Sequence, residues 1–211
     1  MRAPFSNISE LQKNKLFKLL GVHIYTYSKN QEVLPIIKNE DILCIIIKGK
    51  AKIFLMDYDG DEEIVEYLEE NSVFGTNITG TSSENYQIIA SENVEVLVID
   101  NKQLMNSENT AYSYYNTFIN NLFDIVNAKL KEKNDRIRIL EKKTIRERLL
   151  EFFEIEYRKT HSKNIYLPSS FKDLADYFAV NRAAMFRELK NLKDEKFIET
   201  KGRKIILLNK Q

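Results

Sequence analysis

The chain has 211 residues, with 32 Lys and Arg against 31 Asp and Glu, 43% hydrophobic and 30% charged residues, and one cysteine. That composition is ordinary for a soluble protein with room for two modest domains. No apolar run approaches the roughly eighteen residues that cross a bilayer, no signal-peptide pattern opens the chain, and a lone cysteine excludes an internal disulfide and points to a reducing, cytoplasmic setting. The near-zero net charge hides a division. Residues 1–140 carry 15 Lys/Arg against 20 Asp/Glu, net −5, and residues 141–211 carry 17 against 11, net +6. A basic C-terminal end is what backbone phosphates attract.

In chain order, Ser6 to Leu20 reads as a helix: Ser9 and Gln12 make a capping box, Leu11, Leu16, Phe17 and Leu20 repeat at helical spacing, and Gly21 closes it. From Val22 to Asp100 the pattern changes to short strands punctuated by turns. His23–Tyr25, Glu32–Leu34, Ile42–Ile47, Ala51–Met56, Glu63–Leu68, Val73–Gly75, Tyr86–Ala90 and Val94–Ile99 are the candidates. Lys48-Gly49-Lys50 turns one strand into the next, and Asp59-Gly60 is a hairpin signal. Strands at this spacing predict a barrel or sandwich.

Ser107 to about Leu140 contains no Gly or Pro and predicts one long helix. Tyr112, Ile119, Phe123, Val126, Leu130, Ile137 and Leu140 fall on a four-three repeat, with Asn116 and Lys133 at two of its positions. A repeat of that kind is a coiled-coil seam, and past Leu130 its polar flanks leave only a partner helix to cover it. A parallel homodimer through Ile119, Phe123, Val126, Leu130 and Ile137 is therefore expected, with Asn116 and Lys133 fixing register. Glu141-Lys142-Lys143 reads as a hinge. Thr144 and Glu147 form a capping box for a helix to about Arg158, with Ile145, Leu149, Phe152 and Phe153 facing inward.

Leu167 to Lys196 then predicts two short helices joined by a tight turn. Pro168, Ser169, Ser170 and Asp173 supply a start signal; Phe171, Leu174, Ala175 and Phe178 share one face. Ala179-Val180 breaks the pattern. Asn181 caps a second helix with Met185, Leu189 and Leu192 inside and Arg182, Arg187 and Lys190 outside. A helix supported from behind, with arginines near its exposed N-terminal end, is what major-groove readout requires. Phe197–Thr200 and Lys204–Leu208 around Lys201-Gly202-Arg203 predict a basic β-hairpin wing.

FKDLADYFAVNRAAMFRELKNLKDEKFIETKGRKIILL resembles the helix-turn-helix of the CRP/FNR family, the relatives of the cyclic-AMP receptor protein and the fumarate–nitrate regulator. IIIKGKAKIFLMDYDGDEEIVEYL and SVFGT upstream resemble the β-roll sensor domain of the same family. The resemblance implies an α+β chain with a cupin-like, cyclic-nucleotide-binding-type β-roll over residues 1–106, a dimerisation helix over 107–140 and a winged helix-turn-helix over 141–211. It implies a transcriptional regulator, not an enzyme, that binds a palindromic double-stranded DNA operator and works with RNA polymerase. On this reading Arg182 and Arg187 contact guanines, and Ala183 offers only a methyl contact where relatives place a glutamate. Asn181, Ser169, Ser170, Lys172, Lys190, Lys201 and Arg203 are candidate phosphate contacts.

The sensor half departs from the family. Members that bind cyclic AMP carry a glutamate after the Phe-Gly turn and an arginine for the phosphate. Here Thr76 follows Phe74-Gly75, and Glu84 falls near the arginine's place. Residues 53–101 hold twelve Asp/Glu and no Lys or Arg, so a buried phosphate would meet repulsion and no cation. Cyclic AMP is not expected to bind. Four cysteines for an iron–sulfur cluster are lacking, His23 is the only N-terminal histidine for haem, and Cys44 sits in an apolar strand. No metal site is expected. A small uncharged or cationic organic effector is the remaining candidate, with Gly75, Thr76, Tyr86, Tyr112 and Tyr115 as pocket residues and Tyr67 and Tyr114 nearby. Several of these tyrosines also suit a core. A ligand-independent regulator is the alternative, and a cupin-like enzyme a remote one, because His23 and His161 cannot build its metal site.

Overall fold

The computed structural model describes residues 3–33, 41–56, 62–75, 86–167 and 171–208. The chain is mixed α+β and divides into two compact units, Met1–Ala128 and Lys129–Gln211, each with its own core. Helix α1 (Glu10–Leu19) opens on the expected reciprocal box. The Gln12 amide donates to the Ser9 hydroxyl, and the Gln12 side-chain oxygen accepts from the Ser9 amide. It does not reach back to Ser6, because Asn7 sits at φ 62, a left-handed conformation that ends a right-handed helix.

Among the described residues seven strands follow: β1 (His23–Tyr27), β2 (Ile42–Lys48), β3 (Ala51–Met56), β4 (Glu62–Leu68), β5 (Val73–Gly75), β6 (Tyr86–Ala90) and β7 (Val94–Asp100). They form two antiparallel sheets, β1-β7-β2-β5 and β4-β3-β6. Of the strand expected at Glu32–Leu34, Glu32 makes one bridge to Ile89 and Leu34 lies outside the described residues. Asp59-Gly60 lies outside them too, although the flanking strands pair as expected, Met56 opposite Glu62. The Lys48–Lys50 turn does not close a hairpin. It hands the chain from one sheet to the other, since β2 pairs with β5 and β7 while β3 pairs with β4 and β6. Gly49 makes the crossing at φ +86, where a Cβ would stand 2.2 Å from the Asn93 carbonyl oxygen, so only glycine fits.

The continuous apolar run of β2 has a direct cause: both its faces are covered. Ile42, Cys44 and Ile46 join Val96, Val98, Ile53 and Ile88 between the sheets. Leu43 and Ile45 point the other way and meet Leu16, Leu20, Leu97, Ile99 and the long helix. Alternation in side-chain direction with two apolar environments leaves no polar position to mark the period.

After α2 (Asn101–Leu104), residues Ser107–Ala111 form a short 3-10 turn capped by the Asn106 side chain, and the long helix α3 (Ser113–Leu140) begins after it. The expected start at Ser107 is displaced because Tyr112 is extended, at φ −103 and ψ 121. Asn121, buried in α3, donates to the carbonyls of Pro4 (3.0 Å) and Ser6 (2.8 Å), tying the N-terminal turn to the helix.

The second unit continues with α4 (Ile145–Thr160), β8 (Asn164–Tyr166), α5 (Phe171–Tyr177), α6 (Arg182–Asp194), β9 (Ile198–Lys201) and β10 (Lys204–Leu207), the strands in the order β8-β10-β9. Its core gathers Leu149, Phe152, Phe153, Leu174, Phe178, Met185, Leu189, Leu192, Ile198 and Ile205. Thr144 and Glu147 form the expected capping box. Bonds from the Thr144 backbone amide and hydroxyl, and the Lys143 amide, hold the Glu147 carboxyl below its usual range.

Candidate DNA-reading face and helix seam

Helix α6 is set by its cap and its core stripe. The Asn181 side-chain oxygen accepts from the Ala183 and Ala184 amides at 2.9 and 3.2 Å, which satisfies two of the open donors at the helix start. Met185, Leu189 and Leu192 are buried. The turn before it passes through Ala179 at φ 52, which carries the chain sharply from α5 into α6. Arg182, Ala183, Phe186, Arg187 and Lys190 are all exposed, at positions that share one helical face.

The reading helix is braced from behind by α4. Arg146 pairs with Glu188 at 3.2 Å and grips Glu195 through both terminal nitrogens, while its guanidinium lies over the Phe197 ring at 5.2 Å. The hydrogen bond to Arg146 lowers the Glu195 carboxyl's pKa, and the same bond raises that of the guanidinium. Arg148 donates to the carbonyls of Phe178 (2.7 Å), Lys142 (3.0 Å) and Leu140 (3.2 Å). One guanidinium thus satisfies the C-terminal ends of α3 and α5 together.

The wing forms as expected. Ile205 stands opposite Thr200 and Ile165, and Gly202 turns the hairpin at φ +58 with Lys201 and Arg203 exposed beside it. Lys172 lies in α5; Ser169 and Ser170, with the start signal around Pro168, lie outside the described residues.

Helix α3 carries two stripes. Tyr115, Phe118, Leu122 and Ile125 are buried in the first unit's core. One residue further on, the expected seam is turned outward: Phe123 is 66% exposed, Leu130 55% and Ile137 53%, with Ile119 and Val126 half-buried. Asn116 and Lys133 are exposed at their seam positions. Below the domain boundary, Asp135 is buried 3.2 Å from the Lys159 ammonium, Arg138 and Lys142 both reach Glu151, at 2.5 and 3.1 Å, and Ile139 enters the second core. Burial depresses the Lys159 ammonium pKa, but bonds and attraction from Glu156 and Asp135 outweigh it and the net shift is upward.

The described pocket candidates differ in their surroundings. Tyr115 is a core residue whose hydroxyl donates to the Leu104 carbonyl at 2.5 Å, and burial raises its pKa. Tyr112 is exposed and stacks on Tyr114, ring centroids 5.4 Å apart. Tyr86 is half-buried against the inter-sheet core, and Tyr67 is exposed beneath the Lys52 ammonium. Thr76 and Glu84 lie outside the described residues. Gly75, at φ +146, has a backbone reason to be glycine: a Cβ would stand 2.2 Å from the Ile42 carbonyl oxygen. His23 is exposed on β1, at the edge of its sheet. Cys44 is fully buried and its thiol pKa is pushed far up by that burial. Among the described residues, no group of three or more His, Cys, Asp and Glu is placed to hold a metal ion, and no helix is long and apolar enough to cross a membrane.

Two residues fall outside the expected set: Phe186, an exposed aromatic on the same face of α6, and Arg148, whose value lies in three carbonyls distant in sequence. The first was visible as a phenylalanine one position from Arg187; no local pattern marks the second.

These features define a winged helix-turn-helix protein joined to an antiparallel β-roll, the build of a DNA-binding transcription regulator. Residues 26–107 match the model of the cyclic nucleotide-binding domain and residues 145–211 that of the Crp-like helix-turn-helix domain. The chain belongs to the CRP/FNR family of regulators. Among solved structures it is similar to CprK complexed with OCPA (21% identity over 95% of this chain and 92% of that one, TM-score 0.65). It is also similar to a CooA variant from Carboxydothermus hydrogenoformans (19%, 99% and 94%, TM-score 0.61) and to the catabolite activator protein of Thermus thermophilus (15%, 97% and 93%, TM-score 0.51). At these identities the likeness establishes the fold alone. No curated protein sequence matches the chain.

Proposed function

We propose that the chain acts as a homodimer that binds a palindromic DNA operator, under the control of a small effector other than a cyclic nucleotide. The observation that carries the reading is the second stripe of α3. Phe123, Leu130 and Ile137 are exposed at heptad spacing on a helix whose neighbouring stripe is already buried, and a second copy of the same stripe is the self-complementary cover. Dimerisation would place two α6 helices for successive major grooves, roughly 34 Å apart. Arg182 and Arg187 are assigned to guanine edges, and Asn181, Lys190, Lys201 and Arg203, with Ser169, Ser170 and Lys172, to phosphates. The three-part division into residues 1–106, 107–140 and 141–211 belongs to this reading, as does a working contact with RNA polymerase in the cytoplasm.

The residues present do not fit a cyclic nucleotide. Residues 53–101 hold twelve Asp/Glu and no Lys or Arg, so this stretch supplies no cation for a buried phosphate and carries charges that would repel it. CprK, similar in fold, is solved in complex with OCPA, which supports an effector site in this fold. Gly75, Thr76, Tyr86, Tyr112 and Tyr115 are proposed as the sensing region, with Tyr115 acting from the core.

Native mass spectrometry of the purified chain, followed by fluorescence anisotropy on selected duplexes at 50 and 200 mM salt, tests the reading. A dimer whose affinity falls steeply with salt, by about a thousandfold for six or more phosphate contacts, supports it. Single chains at micromolar concentration with no salt-dependent duplex binding would refute it.

A further inference from the structure

One face of helix α6 presents Arg182, Ala183, Phe186, Arg187 and Lys190, and one of these is out of keeping with a solvated basic face. Phe186 keeps 40% of its surface exposed, between Arg182 and Arg187. Its ring is held on two sides. Phe171, itself packed on the domain core, lies with its centroid 5.3 Å away, and the Arg182 guanidinium sits 5.5 Å from the ring centre. The ring is therefore fixed in orientation, and Ala183, three residues before it, extends the apolar strip along the same face.

We infer that Phe186 is a specificity-determining residue that reads the C5-methyl group of a thymine in each half-site. The inference rests on α6 being the helix that enters the major groove. There the thymine methyl is the one apolar mark on a base edge, and side chains such as phenylalanine and alanine are its natural contacts. A rigid ring loses little entropy when it docks against that methyl. The two flanking arginines suit guanines, so the half-site pairs guanine with a methyl-bearing neighbour.

The test uses the full-length chain and duplexes that it selects from a random pool. Each thymine of the selected operator is replaced singly by uracil, which removes the methyl and leaves the pairing edge intact. Wild type should lose roughly three- to fivefold in affinity at one thymine position per half-site, the worth of about one buried methyl group. Phe186→Ala should bind thymine and uracil equally there, while Phe186→Leu, which keeps an apolar contact, should retain part of the preference with the same melting temperature as wild type. If wild type shows no uracil-sensitive position, or if Phe186→Ala keeps the wild-type ratio at every thymine, the inference is overturned. A Phe186→Ala loss confined to guanine positions also overturns it, because the ring would then serve only as a shelf for Arg182. Failure to select any duplex would instead overturn the operator-binding reading beneath it.

Discussion

From Ser113 to Ala128 the long helix is fastened by apolar burial, with Tyr115, Phe118, Leu122 and Ile125 set in the first unit's core. From Lys129 to Leu140 only Ile139 does the same; the other contacts include the pairs Asp135–Lys159 and Arg138–Glu151, with Lys142–Glu151 just beyond the helix, Arg136 over the Tyr177 ring, and the Leu140 carbonyl held by Arg148. The magnitudes separate the two halves. A fully buried large apolar side chain is worth about 1.5–3 kcal/mol, whereas a partly exposed ion pair contributes roughly 0–1 kcal/mol and is screened by salt. The upper half is thus a permanent part of its unit. The lower half is held by contacts that salt, pH or a partner can adjust, and that is the half that leads into the DNA-reading helices.

Substitutions can sharpen or break this contrast. The largest effect is expected at Phe118, which is fully buried: Phe118→Ala should cost about 3–5 kcal/mol of stability by urea unfolding. Leu130→Glu, on the exposed stripe, should leave the protomer's stability within about 0.5 kcal/mol, yet weaken dimerisation by roughly thirtyfold or more in sedimentation equilibrium, as a charge enters the seam from both copies. An unchanged dimer would show that the stripe is not the seam. Arg148→Met should cost about 2 kcal/mol, because three carbonyls lose a charged donor, and should accelerate amide exchange around Leu140 and Phe178. Glu151→Gln should cost only about 0.5–1 kcal/mol at low ionic strength and close to nothing in 1 M salt. The smallest effect is a pH dependence. The Glu147 carboxyl lies below its ordinary value of 4.5 in the folded chain, so its contribution is present in full above that value and is lost as pH falls through the folded one. The stability difference between wild type and Glu147→Gln should shrink accordingly across acid titration followed by circular dichroism.

What was legible in the sequence follows the same divide between local and distant causes. Capping boxes at Ser9 and Thr144, the Asn181 cap and the buried stripe of α6 are short-range patterns, and they stand where the sequence placed them. The sheet partners of β2 and β3 were not readable, because a turn such as Lys48–Lys50 has the same local chemistry whether it closes a hairpin or crosses between sheets. The start of α3 was misplaced by six residues, since a Ser, Glu, Asn and Thr run suits a 3-10 turn as well as a helix. The exposure of the candidates on α6 is a surface pattern and could be read. The tyrosines could not be sorted into core and surface, because an aromatic ring with a hydroxyl serves either, and it is the Leu104 carbonyl that decides for Tyr115.

The one-residue offset between the two stripes of α3 makes that helix a phasing element. Each residue advances an α-helix by about 100° and 1.5 Å, so within the first unit the inner stripe fixes the azimuth of Ile119, Phe123 and Val126 on the outer one. For the proposed seam, a single insertion or deletion between Ile125 and Leu130 would keep the helix yet turn Leu130 and Ile137 about 100° away from the Phe123 stripe.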